Sequence, residues 1–391
     1  MSEPSQTVRE RKRGAILGAA VADAASLGFH WLYDQSRIRD LEPNTPEFRQ
    51  PNDTDYADTA GYFAHANKNS GDLSQYGEQH YTMLRTLNAN QGIYSKAQYE
   101  AEFIECFGYG GSYTGYIDHP TRDTLNNITI AEKEALTRAS DIPFNGADEL
   151  KRKLITKILS NTKQFSGHKL KQKVEESVRT TDDDDLLVEH TFKMLDEWNS
   201  VNGYHGSDDT QLPALSKIPA LVAAYTQQEN LYNVVESAVR VTNNNDDAVA
   251  FALASANMIE AAITTGDPEL SIDAGKQAFS GTTHQLIEQA LTSLDKSTPE
   301  VTGDWGMACQ LKIGFPSAVH NIAKANAFDE AVRQNIYAGG DSCGRSILIG
   351  AVLGACYGLD TQNGIPLRWV KKLSHSNKLR HDTDQLLNAL E

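Results

Sequence analysis

Two places in this sequence put reactive side chains where an ordinary helix would not carry them. Asp23 interrupts an alanine-rich apolar stretch, with Ala15–Ala22 before it and Ala24-Ala25 after it. Gly339-Gly340-Asp341-Ser342-Cys343 sits directly before a second stretch of small residues. A carboxylate inside an apolar helix is costly unless it is paired or holds a cation, and functional sites often occupy such rule-breaking positions. Carboxylates so placed can hold a divalent ion, stabilise a developing cation or act as a general base. Cys343 offers a different chemistry, because free N–H groups at a glycine-rich helix start favour the thiolate. A small buried cysteine, by contrast, is inert. Ser207-Asp208-Asp209-Thr210 reads first as a polar cap before the helix that starts near Pro213, and second as a group that lines a site. His205 and Asp118-His119 read as loop residues.

To act together, these residues must be carried from opposite ends of the chain by helices. Apolar positions recur at three- and four-residue spacing over 98–107, 146–160, 184–197, 213–226, 246–263 and 344–358. Period-two alternation rich in β-branched residues is almost absent, so the fold class expected is all-α. Gly14, Gly18, Ala22 and Ser26 recur every fourth residue, as do Gly350, Gly354 and Gly358. Each series leaves one helix face nearly bare, so the spacing predicts that these two helices meet backbone to backbone. Asp182–Asp185 and Asn243–Asp247 precede apolar stretches and read as caps. Residues 40–72 and 160–182 read as loops, and the end of the chain as a short helix or tail.

The chain has 391 residues, 40% of them hydrophobic, which is ample for one large core. No repeat or proline-rich linker divides it. The expectation is a single domain over 14–360, with a basic N-terminal extension over 1–13 and a C-terminal helix or tail over 361–391. A net charge of −16 argues against a nucleic-acid partner. No apolar run reaches the roughly 18 residues that span a bilayer, so no membrane role is expected. Cys106, Cys309, Cys343 and Cys356 are widely separated, which argues against a disulfide scaffold or zinc ribbon and suits a reducing compartment. Arg9, Arg11, Lys12 and Arg13 before Ala15–Ala22 imitate a secretory leader. The stretch is nevertheless short, rich in Ala rather than Leu, and runs into Asp23, so a buried helix and a cytoplasmic location are expected.

Gly18-Ala19-Ala20-Val21-Ala22-Asp23-Ala24 resembles the G-x-x-x-G-D-A opening of the ADP-ribosylglycohydrolases. Gly339-Gly340-Asp341, followed by the helix to Gly358, resembles the family's closing G-G-D-x-D-T motif. Val241-Thr242-Asn243 and Ala248–Ala262 resemble its T-H segment and Ala-rich helix. Order and spacing agree over residues 14–360. Within the family the likeness is greatest to the crystallin-J1-like branch, which includes lens crystallins. It rests on Ala22–Ala25 with His30-Trp31, Ser74-Gln75-Tyr76-Gly77-Glu78-Gln79, Tyr113–Asp118, Asp209–Ala214 and Gly340–Arg345.

The resemblance implies an all-α fold and cleavage of a ribosyl glycosidic bond, assisted by two Mg²⁺ or Mn²⁺ ions. Those ions are held by T-D-D near the N-terminus and D-x-D-T near the C-terminus. Here Ser74-Gln75-Tyr76 stands at the first motif, and Cys343 and Gly344 replace the second Asp and the Thr of the other. The Glu that completes the site in some relatives falls near His30. Hard cations need several carboxylate oxygens, so the inventory leaves at most one weakly held Mg²⁺ at Asp341 and implies no other cofactor.

If the fold is kept, Asp23, His30, Tyr76, Glu78, Asp341 and Cys343 converge. Ser74, Tyr76, Gly339, Gly340, Ser342 and Gly344 then offer substrate-binding groups, with helix-start N–H groups meeting a phosphate or ribose oxygen. Without metal, Asp341 would stabilise an oxocarbenium-like transition state while Glu78 or His30 positions water. Alternatively Cys343 would pair with His30 as a nucleophile. Three functions stay open. One is a metal-poor ribosyl hydrolase acting on a small-molecule or ADP-ribosylated substrate, and another is a silent ADP-ribose or nucleotide binder. The third is a crystallin-like structural protein, whose charge of −16 suits solubility at high concentration. A cluster of buried charges favours the first two.

Overall fold

The structure is a computed structural model that describes residues 7–108, 110–141, 205–278 and 280–391. It begins with a capping box. The Thr7 hydroxyl accepts the Glu10 N–H at 3.2 Å, and the Glu10 carboxylate accepts the Thr7 N–H at 2.7 Å. This start launches α1 (Val8–Ser26), whose first turns lie within the segment read as an N-terminal extension. Then come α2 (Gln35–Leu41), α3 (Gln75–Ala89), α4 (Lys96–Phe107) and α5 (His119–Asp141). Past residue 205 follow α6 (Ile218–Tyr225), α7 (Leu231–Thr242), α8 (Asp246–Thr265), α9 (Pro268–Gln277) and α10 (Thr282–Leu291). The last are α11 (Thr298–Trp305), α12 (Leu311–Lys324), α13 (Phe328–Tyr337), α14 (Ser342–Tyr357), α15 (Leu367–Val370) and α16 (Ser376–Ala389). Among the described residues there is no strand, only isolated bridges such as Leu32 with Gly340. The fold is all-α.

The centre of the molecule is the pairing of α1 with α14, the most extensive helix contact described. A Cβ on Gly14 would overlap the Gly354 carbonyl, and one on Gly18 would overlap the Gly350 carbonyl. The two glycine stripes therefore face each other, and only hydrogen atoms fit between the backbones. Every residue of α1 from Gly14 onward is buried, as is α14 from Ser342 to Ala355. Around this pair lie α3, α8, α12 and α13. α8 is long and apolar enough by composition to cross a membrane, yet here it is an internal helix, 61% buried within the molecule.

The expected helices over 98–107, 246–263 and 344–358 correspond to α4, α8 and α14. The segment 213–226 divides instead into a 3₁₀ turn, Leu212–Leu215, and α6. Pro213 and Pro219 each lack an N–H donor, so each sits at the start of a helical piece rather than inside one continuous helix. The segments 146–160, 160–182 and 184–197, and the cap Asp182–Asp185, lie outside the described residues. At the chain's end α16 lies against α1 and α3, fixed by an ion pair of Arg13 with Asp384 and by the Tyr81 hydroxyl donating to Asp382 at 2.5 Å.

Candidate functional site

Asp341 stands at the N-cap of α14, after a turn in which Gly339 and Gly340 adopt φ of 72° and 62°. Its Oδ1 accepts the Gly344 N–H at 3.0 Å and faces His30 Nε2 at 2.9 Å. Its Oδ2 accepts the Tyr76 hydroxyl at 2.7 Å. Three donors thus occupy three of the roughly four acceptor positions of a carboxylate that is 0% exposed. Burial pushes its pKa up, but the His30 hydrogen bond and charge, the Tyr76 hydroxyl and the Arg345 charge outweigh this and hold it below the usual range.

The hydrogen bonds continue into two histidines. His30 Nε2 faces Asp341, and His30 Nδ1 lies 2.6 Å from His65 Nε2, one of these two nitrogens donating to the other. His65 Nδ1 is a buried nitrogen without a hydrogen-bond partner. Burial, then His30 and Lys68, push the His65 pKa well down, so this ring stays neutral. The result is a chain, His65–His30–Asp341–Tyr76, closed on the far side by the Tyr56 hydroxyl donating to the His30 carbonyl at 2.7 Å.

A second centre forms one helix turn away. Ser74 caps α3, accepting the Tyr76 N–H at 3.1 Å. It donates its hydroxyl to Asp23 Oδ1 at 2.5 Å and its backbone N–H to Asp23 Oδ2 at 2.8 Å. Burial pushes the Asp23 pKa up to about 7, against the pull of these two bonds. Cys343 lies between the centres, its thiol 3.6 Å from the Asp23 carbonyl. Burial and the charges of Asp23 and Asp341 push that thiol well up, the opposite of the lowered pKa expected for a nucleophile. Among the described residues it makes no contact with His30, so the Cys–His pair is not formed. The Gly344 N–H that would have favoured a thiolate is already bonded to Asp341.

The remaining candidates are drawn into the same internal bonding. The Gly340 carbonyl accepts the Trp31 N–H at 2.8 Å, and the Gly340 N–H donates to Leu32 at 2.7 Å. The Ser342 N–H donates to the Gly340 carbonyl at 2.8 Å and the Gly339 N–H to the Ile336 carbonyl at 3.0 Å. The Ser342 carbonyl in turn accepts Asn335 Nδ2 at 2.8 Å, and the Gly339 carbonyl accepts Arg345 at 2.5 Å. None of these N–H groups is left to meet a phosphate. Glu78 stands apart, in a cleft, with its carboxylate 4.0 Å from Lys68 Nζ and no bond to Asp341 or His30 among the described residues.

Asp209 accepts the Gln211 N–H at 2.7 Å within its own loop, and Asp208 accepts Asn245 Nδ2 at 2.7 Å, which ties that loop to the cap of α8. The His205 carbonyl accepts Asn127 Nδ2 at 3.0 Å, as a loop residue should. Asp118 departs from the loop reading. It is 2% exposed, caps the Thr121 N–H at 2.9 Å, and is pushed up to about 6 by burial. Its neighbour is Lys217, fully buried, pushed down to about 7 by burial and bonded to the Thr242 hydroxyl at 2.5 Å.

Sequence reasoning missed His65, Arg345, Asn335 and Lys217. The signal for Arg345 was present, since a charge three residues into an apolar helix requires a partner. His65 carried no such signal in its polar loop.

Two curated relatives cover nearly the whole chain. Crystallin J1A of Tripedalia cystophora is 27% identical over 392 residues, 99% of each chain, and crystallin J1B of the same animal is 25% identical over 396 residues, again 99% of each. Among solved structures, a chain of an "ADP-ribosylglycohydrolase-related protein complex" shares the fold with a TM-score of 0.57, at 15% identity and over 98% of this chain and 99% of that one. The family model for ADP-ribosylglycohydrolase matches residues 4–391, with the glycine pairing of α1 and α14 and the Asp341 cap inside it, so the chain belongs to the ADP-ribosylglycohydrolase family.

Proposed function

We propose that this chain has lost the metal-assisted reaction of its family and that the family's centre persists as a hydrogen-bonded part of the core, in a crystallin-like, non-hydrolysing protein. Family membership supports a hydrolase-like ancestry, and the full-length likeness to two crystallins supports the structural outcome. The observation that carries the reading is the enclosure of Asp341, which is 0% exposed and already takes three internal donors. A divalent ion needs oxygen lone pairs turned toward it. Here Oδ1 faces His30 Nε2 and Gly344 N–H while Oδ2 takes the Tyr76 hydroxyl. Tyr76 and Gln75, where the family motif has its aspartates, bring no negative charge. Among the described residues no three His, Cys, Asp or Glu side chains are grouped to hold a metal. The residues present therefore do not fit the two-ion centre, and no catalytic step is routed through it.

Hydrolysis without metal, with Asp341 facing the ribose and His30 or Glu78 positioning water, is less well supported. Asp341 and His30 are each 0% exposed, and Glu78 faces another cleft. Buried charges that satisfy one another also remove the earlier argument against a structural role. The test is incubation with ADP-ribosylated peptide and with a small ADP-ribosyl conjugate, with and without Mg²⁺ or Mn²⁺. A thermal-shift titration with each ion alone accompanies it. The expected results are no ADP-ribose release above buffer and no ion-dependent rise in Tm. Release in either condition, or saturable stabilisation by Mg²⁺, overturns the proposal.

A further inference from the structure

Against a net charge of −16, one concavity of the molecule brings three cationic side chains together. It is a cleft of about 350 Å³ between the loop 67–73, the Glu78–Arg85 face of α3, the loop 112–114 and the segment 373–379. Lys68, Arg85 and Lys378 line it with His375, opposed by the carboxylates of Glu78 and Asp72. Its volume falls at the lower end of the range for small-molecule sites.

Two of the cations are incompletely satisfied. Lys68 is only 8% exposed, yet its ammonium makes no hydrogen bond among the described residues. It stands 4.4 Å above the centre of the Tyr113 ring and 4.0 Å from Glu78 Oε1. This ammonium therefore keeps donors to offer where it lines the cleft. The Arg85 Nε–H is buried with no hydrogen-bond partner, its nearest ionic contact being Glu102 at 3.7 Å. Lys378 is exposed on the opposite wall, 5.7 Å over the Tyr81 ring. Lys68 and Lys378, cationic groups on two walls of one cleft, call for an anion with several acceptor oxygens. Glu78 then lies where a neutral hydroxyl-bearing part of the same molecule would meet it, and Leu73, Leu373 and Leu379 give the cleft its apolar floor.

We propose that this cleft binds a small phosphorylated polyol, with Lys68, Arg85 and Lys378 around the phosphate and Glu78 accepting from a hydroxyl. The site is separate from the buried Asp341 centre, and its occupancy does not depend on whether that centre has any activity. Glucose 6-phosphate, glucose and inorganic phosphate are titrated into the full chain at constant ionic strength, with binding read by calorimetry and by Tm. Glucose 6-phosphate should bind saturably and raise Tm by mass action, inorganic phosphate should bind more weakly, and glucose should not bind.

Lys68→Met should weaken glucose 6-phosphate binding at least tenfold. Lys378→Met, at an exposed position that cannot threaten the fold, should weaken it severalfold. Glu78→Gln should reduce the advantage of glucose 6-phosphate over inorganic phosphate. Absence of saturable binding to the wild-type chain overturns the proposal, as does binding that both lysine variants retain in full.

Discussion

Removing a single oxygen tests the closed centre. In Tyr76→Phe the ring stays and only the hydroxyl that donates to Asp341 Oδ2 at 2.7 Å is lost. The surrounding packing is preserved, so no cavity larger than that oxygen opens. The bond is to an ionised carboxylate, and removal leaves Oδ2 buried without a donor. Bonds of this kind contribute about 2 kcal/mol, within a range of about 1.5–3. For 391 residues the unfolding entropy is about 0.8 kcal/mol/K, so Tm should fall by about 2–3 °C. Scanning calorimetry resolves that difference, and a double-mutant cycle isolates it. In an Asp341→Asn background the same Tyr76→Phe change should cost less by about 1 kcal/mol or more, because the charged acceptor has gone. A neutral Tyr76→Phe, or a cost unchanged by Asp341→Asn, refutes the claim that the Tyr76 hydroxyl stabilises an ionised Asp341.

Further outcomes follow from the neighbouring groups. Asp23 holds its proton to about pH 7 in the folded chain against an ordinary 3.8, so the stability it contributes is complete below the lower value and lost as pH rises through the upper one. The Tm difference between wild type and Asp23→Asn should therefore change between about pH 4 and 8, and a flat difference would remove Asp23 as a titrating group. Gly18→Leu should abolish recovery of soluble, folded protein because it forces apart backbones in contact; a variant of unchanged Tm would show that the helices do not meet there. Native alkylation followed by mass mapping should leave Cys343 unlabelled until denaturant is added, since its thiol is buried and held neutral. Rapid labelling at neutral pH would revive the nucleophile reading.

The parts legible in the sequence were those with a local period. Four-residue spacing of Gly14, Gly18, Gly350 and Gly354 is enough to foresee two bare helix faces, and bare faces have few uses besides contact. Ser74 and Asp341 were read only as site residues, although capping of α3 and α14 is equally short-range chemistry. The convergence of His30 with Asp341, 311 residues apart, was available only through the family resemblance, because no local rule joins them. His65 was invisible because its role depends wholly on tertiary placement: it lies in an irregular loop and answers a nitrogen on another segment. The state of the cluster was equally hidden. Residue types show that charges are present, but whether they face solvent or one another is decided by packing. That decision turned expected ligand-binding N–H groups at Gly340 and Gly344 into internal bonds.

The α1–α14 contact also sets the order in which the chain can be finished. Gly18 and Gly350 are 332 positions apart, so α1 leaves the ribosome long before the helix it must pair with. At about 5–20 residues per second that interval is on the order of tens of seconds, during which the apolar face of α1 has no native partner. A chain interrupted before α14 keeps that face uncovered and is a natural substrate for holding chaperones. Once α14 arrives, the same long-range closure joins segments 332 positions apart in one step, so fraying of either helix is opposed by the other.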